Sequence, residues 1–336
     1  MKKHLFPNEG IFYKANLHCH SDLSDGALNP EQLKDLYKSN GYSVLAYTDH
    51  DIFIPHNELT DDGFVALNGF ELQVNGSNKY PGVANEKKCH ICFIANNQNI
   101  KKQPCYDKKY AYIGNTLKHR NEVVMDEETS AFTREYTPEN INKIIKTARE
   151  KGFFITYNHP MWSMENYEQY MKYDGMHALE IFNNGTEVLG YNSYGDYIYD
   201  DMLRGGKKIF AVAADDNHNK EGVPDVFGGF VMIKAKNLTY EAITDALFKG
   251  NFYASTGPEI YDFYIEDHKL YICCSDAVKI SLTTDRRISR CVRSEKFEAL
   301  NEAVFNIDFE CSYFRITIKD TNGNCAYTNA YFMEDI

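Results

Sequence analysis

The chain has 336 residues, with 48 acidic side chains against 36 basic ones and a formal net charge of −12. Such a surface repels polyanions, so general nucleic-acid binding is not expected, although a small phosphorylated ligand stays open because bound divalent cations reverse the sign locally. A hydrophobic content of 43% and a charged content of 25% describe a globular chain long enough for one large domain and a small appendage.

The start, Met1 to Pro7, is basic but has no apolar stretch of signal-peptide length behind it, and no apolar run is long enough to span a membrane. Nine scattered Cys, an odd number, read as reduced thiols. A cytoplasmic location without membrane contact is therefore expected. The oligomeric state is not encoded in any readable pattern.

In chain order, Ala15–His20 reads as a strand whose end carries His18 and His20, two apart and so on one face. Asn29-Pro30 reads as a helix cap with Pro at the first turn. Leu33, Leu36 and Tyr37 form its apolar face, and Asn40-Gly41 stops it. Val44–Tyr47 is a buried strand running into Thr48-Asp49-His50-Asp51. Phe64–Leu67 is a further strand with Glu71 just beyond, and His90–Ala95 another. Cys89 and Cys92 form a C-x-x-C without a second pair; strand geometry puts them on opposite faces, so they read as small buried residues.

Residues 96–136 are polar and weakly periodic, and are read as an insertion over the site or a mobile lid. The helix–strand grammar returns at Thr137-Pro138, with Ile141, Ile144, Ile145 and Ala148 as the stripe and Gly152 as the stop. The strand Phe153–Tyr157 then ends in Asn158-His159-Pro160. Ala178–Phe182 is the next strand; Glu180 and Asn183 at its end read as structural, with approach to a substrate as the alternative. A helix near Ser193–Arg204 stops at Gly205-Gly206, and Lys208–Ala214 runs into Asp215-Asp216-Asn217-His218. Phe230–Lys234 continues the series.

Strands alternating with helices predict parallel βαβ units, either a barrel or an open parallel sheet. From about Pro258 the pattern becomes purely β, with Tyr261–Ile265, Lys269–Cys273, Val278–Thr283 and Phe314–Lys319, and a hairpin signal at Thr321-Asn322-Gly323-Asn324. The expected division is a larger α/β domain over 1–257 and a small antiparallel β-domain over 258–336.

Of eleven His, six (His18, His20, His50, His90, His159 and His218) fall in or just after predicted strands. Imidazoles and carboxylates gathered at strand ends are ligands for borderline metals such as zinc. Two neighbouring Asp leave the register at 215–216 ambiguous, and the D-x-H spacing to His218 favours Asp216. Asp49 and Asp51 either orient imidazoles or cap their loop. The other five His (His4, His56, His119, His177 and His268) read as surface or structural.

The runs Asn16-Leu17-His18-Cys19-His20-Ser21-Asp22, Ser24-Asp25-Gly26, Thr48-Asp49-His50-Asp51, Asn158-His159-Pro160 and Asp216-Asn217-His218 together resemble the polymerase and histidinol phosphatase (PHP) family, over roughly residues 10–257. The resemblance implies a distorted (β/α)7 TIM-like barrel, with two or three divalent ions (Zn, Mn or Fe). It implies a first metal on His18, His20 and Asp216, and Glu71 bridging to a second completed by His90 and His159. Asp25, His50 and His218 would hold a third; Asp25 stands where some relatives have a histidine.

The activity so implied is a metal-dependent phosphoesterase acting on a small phosphorylated substrate by attack of metal-bound hydroxide, with no side-chain nucleophile. Arg120 and Arg134 in the insertion are the candidate phosphate-binding residues, with solvated surface charge as the alternative reading. The alternatives are metal-dependent hydrolysis of another bond, such as an amide, and a non-catalytic metal-binding module whose β-domain recognises a partner.

Overall fold

The computed structural model of the chain describes residues 2–76, 87–130, 132–295 and 298–336. The strands of the main series are β1 (Ile11–Asn16), β2 (Val44–Tyr47), β3 (Val65–Asn75), β4 (Lys88–Ala95), β5 (Phe153–Tyr157), β6 (Ala178–Asn183), β7 (Phe210–Ala214), β8 (Phe230–Ala235) and β9 (Phe252–Ser255). The later part contributes β10 (Ile260–Glu266), β11 (Lys269–Ala277), β12 (Lys279–Thr284), β13 (Arg290–Arg293), β14 (Leu300–Asn306), β15 (Tyr313–Lys319) and β16 (Cys325–Thr328).

The helices form where the local chemistry directs. Helix α1 (Pro30–Ser39) opens on a capping box in which Asn29 and Gln32 satisfy each other's backbone N–H, with Pro30 in the first turn. Helix α2 (Pro138–Glu150) is capped by Thr137 and buries Ile141, Ile144, Ile145 and Ala148 against the sheet. Each buried isoleucine contributes about 1.5–3 kcal/mol, so Ile144→Asp would detach this helix. The turn Asn184–Val188 (α3) and the helix Asp196–Arg204 (α4) follow β6, and Tyr240–Phe248 (α5) precedes β9.

The ladders describe a mixed α/β fold. One large sheet runs β7-β6-β5-β4-β3-β2-β1-β8-β9-β16-β15-β12-β13. The pairs β1–β2, β2–β3, β5–β6 and β6–β7 are parallel, as the alternating grammar predicts. Two members depart from it: β4 is antiparallel to both β3 and β5, and β8 is antiparallel to β1. Among the described residues no ladder closes the sheet into a TIM-like barrel. Its two regions meet through an isolated parallel bridge between Cys19 and Asn217, beyond the ends of β1 and β7.

A second, antiparallel sheet joins Lys3–His4 with β10, β11 and β14. It packs on the far part of the large sheet through Phe263, Leu270, Ile272, Ile280, Ile316 and Ile318. The hairpin signal at residues 321–324 is realised between β15 and β16, where Gly323 has a φ of 92° and Asp320 caps Asn322 and Asn324. Among the described residues no helix is long and apolar enough to cross a membrane.

Candidate metal centre

The parallel strands deliver their C-terminal ends to one edge of the sheet, and antiparallel β4 delivers its beginning to the same edge. His90, third residue of β4, therefore lies beside the ends of its neighbours. The nine residues His18, His20, Asp25, His50, Glu71, His90, His159, Asp216 and His218 converge there, six of them buried and Asp25, Asp216 and His218 half-buried.

Several local expectations are corrected. The ladder of β1 ends at Asn16, so His18 and His20 sit in its extended continuation, tied to the 215–217 segment by Asp216 N–H to His18 O and His20 N–H to Asn217 O. Glu71 is not beyond a short strand but in the middle of eleven-residue β3. The strand β7 ends at Ala214, and Asp216, at a φ of 52°, turns away from strand geometry. Asp216 and His218 consequently serve different parts of the cluster.

Around His18 the donor spacings are short. His18 Nε2 lies 3.1 Å from His20 Nε2, 3.2 Å from Asp216 Oδ1 and 3.3 Å from Glu71 Oε1. His20 Nε2 is 3.0 Å from Asp216 Oδ1 and 3.5 Å from Glu71 Oε2. A tetrahedral ion with bonds near 2.0–2.1 Å has ligand–ligand edges of about 3.3–3.4 Å, so these spacings suit a common cation. Glu71 Oε1 also lies 3.1 Å from His90 Nδ1 and 3.3 Å from His159 Nε2, while its Oε2 lies 3.0 Å from His50 Nδ1. Asp25 Oδ1 is 3.4 Å from His218 Nε2, 3.8 Å from His50 Nε2 and 4.0 Å from His20 Nδ1.

Buried nitrogens and oxygens normally find hydrogen-bond partners. Here His20 Nδ1, His50 Nδ1, His90 Nε2, Asp25 Oδ1 and Glu71 Oε2 have none. For His50 and Glu71 the atoms are close but not aligned as a hydrogen bond, which is the arrangement of two donors aimed at a third centre. The residues present thus fit divalent ions.

The charge balance agrees. Against the penalty of burial, His90, His18 and His50 hold the Glu71 carboxyl well below its ordinary value, and His18 and His20 do the same for Asp216. Against burial in turn, Asp216 and its neighbours raise His18, and Glu71 carries His50 up to about 9. His90 goes the other way, pushed by burial to about 4. Carboxylates and imidazoles this close demand positive charge, which protons or cations supply.

The shell around the cluster is built from residues that the sequence left undecided. Glu180 lies 2.7 Å from His18 Nδ1 and accepts the His159 backbone N–H at 2.9 Å. Asn183 donates to Glu180 Oε2 and to Asp216 Oδ2 and caps α3 through Thr186 N–H. Asp49 accepts from Ser21 N–H and from the Ser21 and Ser24 hydroxyls, which orders the loop leading to Asp25. Gly26 follows because a Cβ there would lie 2.3 Å from the His20 carbonyl oxygen. Asp215 points away, accepting from Tyr37 and the Phe227, Gly228 and Gly229 N–H groups. Cys89 and Cys92 are both buried, and burial pushes the Cys92 thiol up to about 11. Cys92 Sγ nevertheless comes within reach of His18 and Glu71, a proximity that strand spacing did not foretell.

Three residues in or beside the cluster, Asp51, His159 and Asp216, have positive φ of 61°, 23° and 52°. Such backbone costs on the order of 1–3 kcal/mol each and persists where surrounding bonds over-determine it. Here those bonds are Asp51 N–H to Glu71 O, His159 N–H to Glu180 and Asp216 N–H to His18 O.

Above the cluster is a cavity of about 450 Å³. Its lining holds Lys88 and Lys220 but neither Arg120 nor Arg134. Arg134 turns inward instead, its Nη1 2.5 Å from Asp51 Oδ1 and 3.1 Å from the Gln73 carbonyl. Arg120 contributes its backbone carbonyl, which accepts from the Tyr106 hydroxyl. The buried Asp51 carboxylate takes the Arg134 guanidinium, so this side chain is neither a solvated surface charge nor part of the cavity lining. The insertion does lie against the site: Asn115 bonds to the Ser24 and Asp22 carbonyls, and Ile113 lines the cavity.

Fold and site together define an α/β protein with a buried centre of imidazoles and carboxylates at one edge of its sheet. No family model and no curated protein matches the chain. Among solved structures it is similar to a two-domain protein from Bacteroides vulgatus, described as containing a PHP-like metal-dependent phosphoesterase. That likeness has 13% identity and a TM-score of 0.45, over 98% of each chain. A protein from Bifidobacterium adolescentis described as a metal-dependent phosphoesterase is 16% identical with a TM-score of 0.39, over 65% of this chain and 91% of the other. An amidohydrolase from Chromobacterium violaceum is 16% identical with a TM-score of 0.38, over 62% and 89%.

Proposed function

We propose that the chain is a metal-dependent phosphoesterase for a small phosphorylated substrate, holding two or three divalent ions (Zn, Mn or Fe). The observation that carries this reading is the convergence of nine donor residues at ligand-edge spacing beneath an open cavity with lysines at its lining. Closely spaced divalent ions, when bound, lower the pKa of a water to give a nucleophile near neutral pH and offset charge on a phosphoryl group.

The chain's own residues do the rest. His18, His20, Glu71 and Asp216 form the most closely spaced part of the centre, with Glu180 fixing the His18 ring. Glu71 sits between the His18, His90 and His50 clusters and joins them. Lys88 and Lys220 at the cavity lining supply positive charge for an anionic group.

The test is to load the purified protein with Zn, Mn or Fe, measure the stoichiometry, and screen phosphomonoesters and phosphodiesters. Two or three ions per chain with turnover that His20→Ala abolishes is the expected result. Tight metal binding with no turnover across both ester classes would overturn it.

A further inference from the structure

The cavity combines two chemistries. Its floor is the charged cluster, but the segments rising from it present Ile113, Trp162, Val188, Leu189 and Val223. These come from the insertion, the loop after β5, the end of α3, and the loop after β7. Leu189 is 60% exposed and Val223 37%, large apolar side chains left open at the mouth of a charged site. Apolar surface collected around a concave polar site is the signature of a ligand with an apolar part.

The wall is also fixed in place. Trp162 packs edge-on to His159 at 5.0 Å and tilted on His90 at 5.1 Å, so its ring abuts the cluster itself. Lys88 Nζ lies 5.7 Å over the same ring. Opposite in sequence, α3 is pinned to the ligand-bearing segment by Gly185 N–H to Asp215 O and capped by Asn183, which sets Val188 and Leu189 relative to Asp216.

We infer that this cavity takes a phosphate ester whose alcohol part is a flat, apolar ring, with the phosphate over the charged floor and the ring against Trp162, Val188 and Leu189. The phosphate half rests on the function proposed above; the ring half rests on the wall alone.

Trp162 is the chain's single tryptophan, so its fluorescence reports on the cavity without any turnover. The metal-loaded protein is titrated with phenylphosphonate and with methylphosphonate, which carry the same anionic head and differ in the ring. Phenylphosphonate is expected to bind about 10- to 100-fold more tightly, the ratio that burying one aromatic ring gives. Leu189→Ser should narrow that ratio to about threefold or less. Trp162→Phe should keep most of it and Trp162→Ala lose it, both followed by calorimetry at unchanged metal content.

Equal affinity for the two phosphonates, or variants that weaken both alike, overturns the inference. Ring preference without hydrolysis of any phosphoester leaves the ring site standing and removes the esterase reading. Hydrolysis without ring preference does the reverse.

Discussion

Glu180 holds His18 from behind: its Oε1 lies 2.7 Å from the His18 Nδ1, which leaves Nε2 as the nitrogen facing the cluster. Its other oxygen accepts the His159 N–H, so one carboxylate sets two ligand-bearing segments. Glu180→Gln places an amide NH2 against one of these donors. Metal affinity is expected to fall about 10- to 100-fold, the usual consequence of losing a carboxylate behind a metal-binding imidazole. Competition with a chelator measures this, and an unchanged affinity would show that the contact does not orient His18.

Arg134 and Asp51 form a buried pair, with Arg134 stacked 4.4 Å from the Tyr110 ring. Arg134→Leu strands the Asp51 carboxylate and is expected to destabilise the protein by about 3–5 kcal/mol. Adding Asp51→Asn should recover part of that loss. Urea midpoints of the two variants decide it; a single variant as stable as the parent would mean the pair is not held in solution.

Metal should stabilise the fold. At a free concentration one hundred times Kd, a single bound ion adds about 2.7 kcal/mol. Thermal melts of chelator-stripped and reloaded protein should differ accordingly, and His20→Ala should shrink the difference. A melting temperature indifferent to Zn, Mn and Fe would remove the case for ions at this cluster.

Burial pushes His177 down to about 4, with Arg149 adding to the effect, against an ordinary imidazole value near 6.5. Its Nδ1 accepts the Ile155 N–H at 3.0 Å and its ring stacks on Phe154, so the neutral form is the one that fits. Between pH 6.5 and 4 the unfolded chain binds a proton at this residue that the folded chain does not. Stability therefore falls as pH drops through that window, by roughly 2 kcal/mol between pH 7 and 5. His177→Gln should flatten that part of the profile in denaturant titrations at the two pH values. An identical slope in both proteins would assign the acid sensitivity elsewhere.

Much of the site was legible because its motifs sit where helix stops and buried strands meet. His50, His159 and Asp216 follow short apolar runs that come directly after a helix stop, His18 and His20 end another short run, and folding brings those ends together. Glu71 was harder, since Asn68-Gly69 reads as a turn signal that ends the strand at Leu67, whereas β3 runs through it, buried on both faces, to Asn75. The antiparallel placement of β4 was hidden too. Residues 76–87, which separate it from β3, are near the lower limit for a parallel crossover, so length does not discriminate. The inward turn of Arg134 depends on a carboxylate distant in sequence, and no local pattern announces such a meeting.

The run of the large sheet past β9 bears on how the chain can be divided. Tyr253, Ala254 and Ser255 pair with Thr328, Tyr327 and Ala326, so the short strand β16 shields what would otherwise be a bare row of N–H and C=O groups. A truncation that keeps residues through β9 and discards β16 would create a sticky border beside intact ligands. Its penalty would be self-association in the test tube rather than a fault in the chemistry, and inactivity of such a fragment would say nothing about the centre.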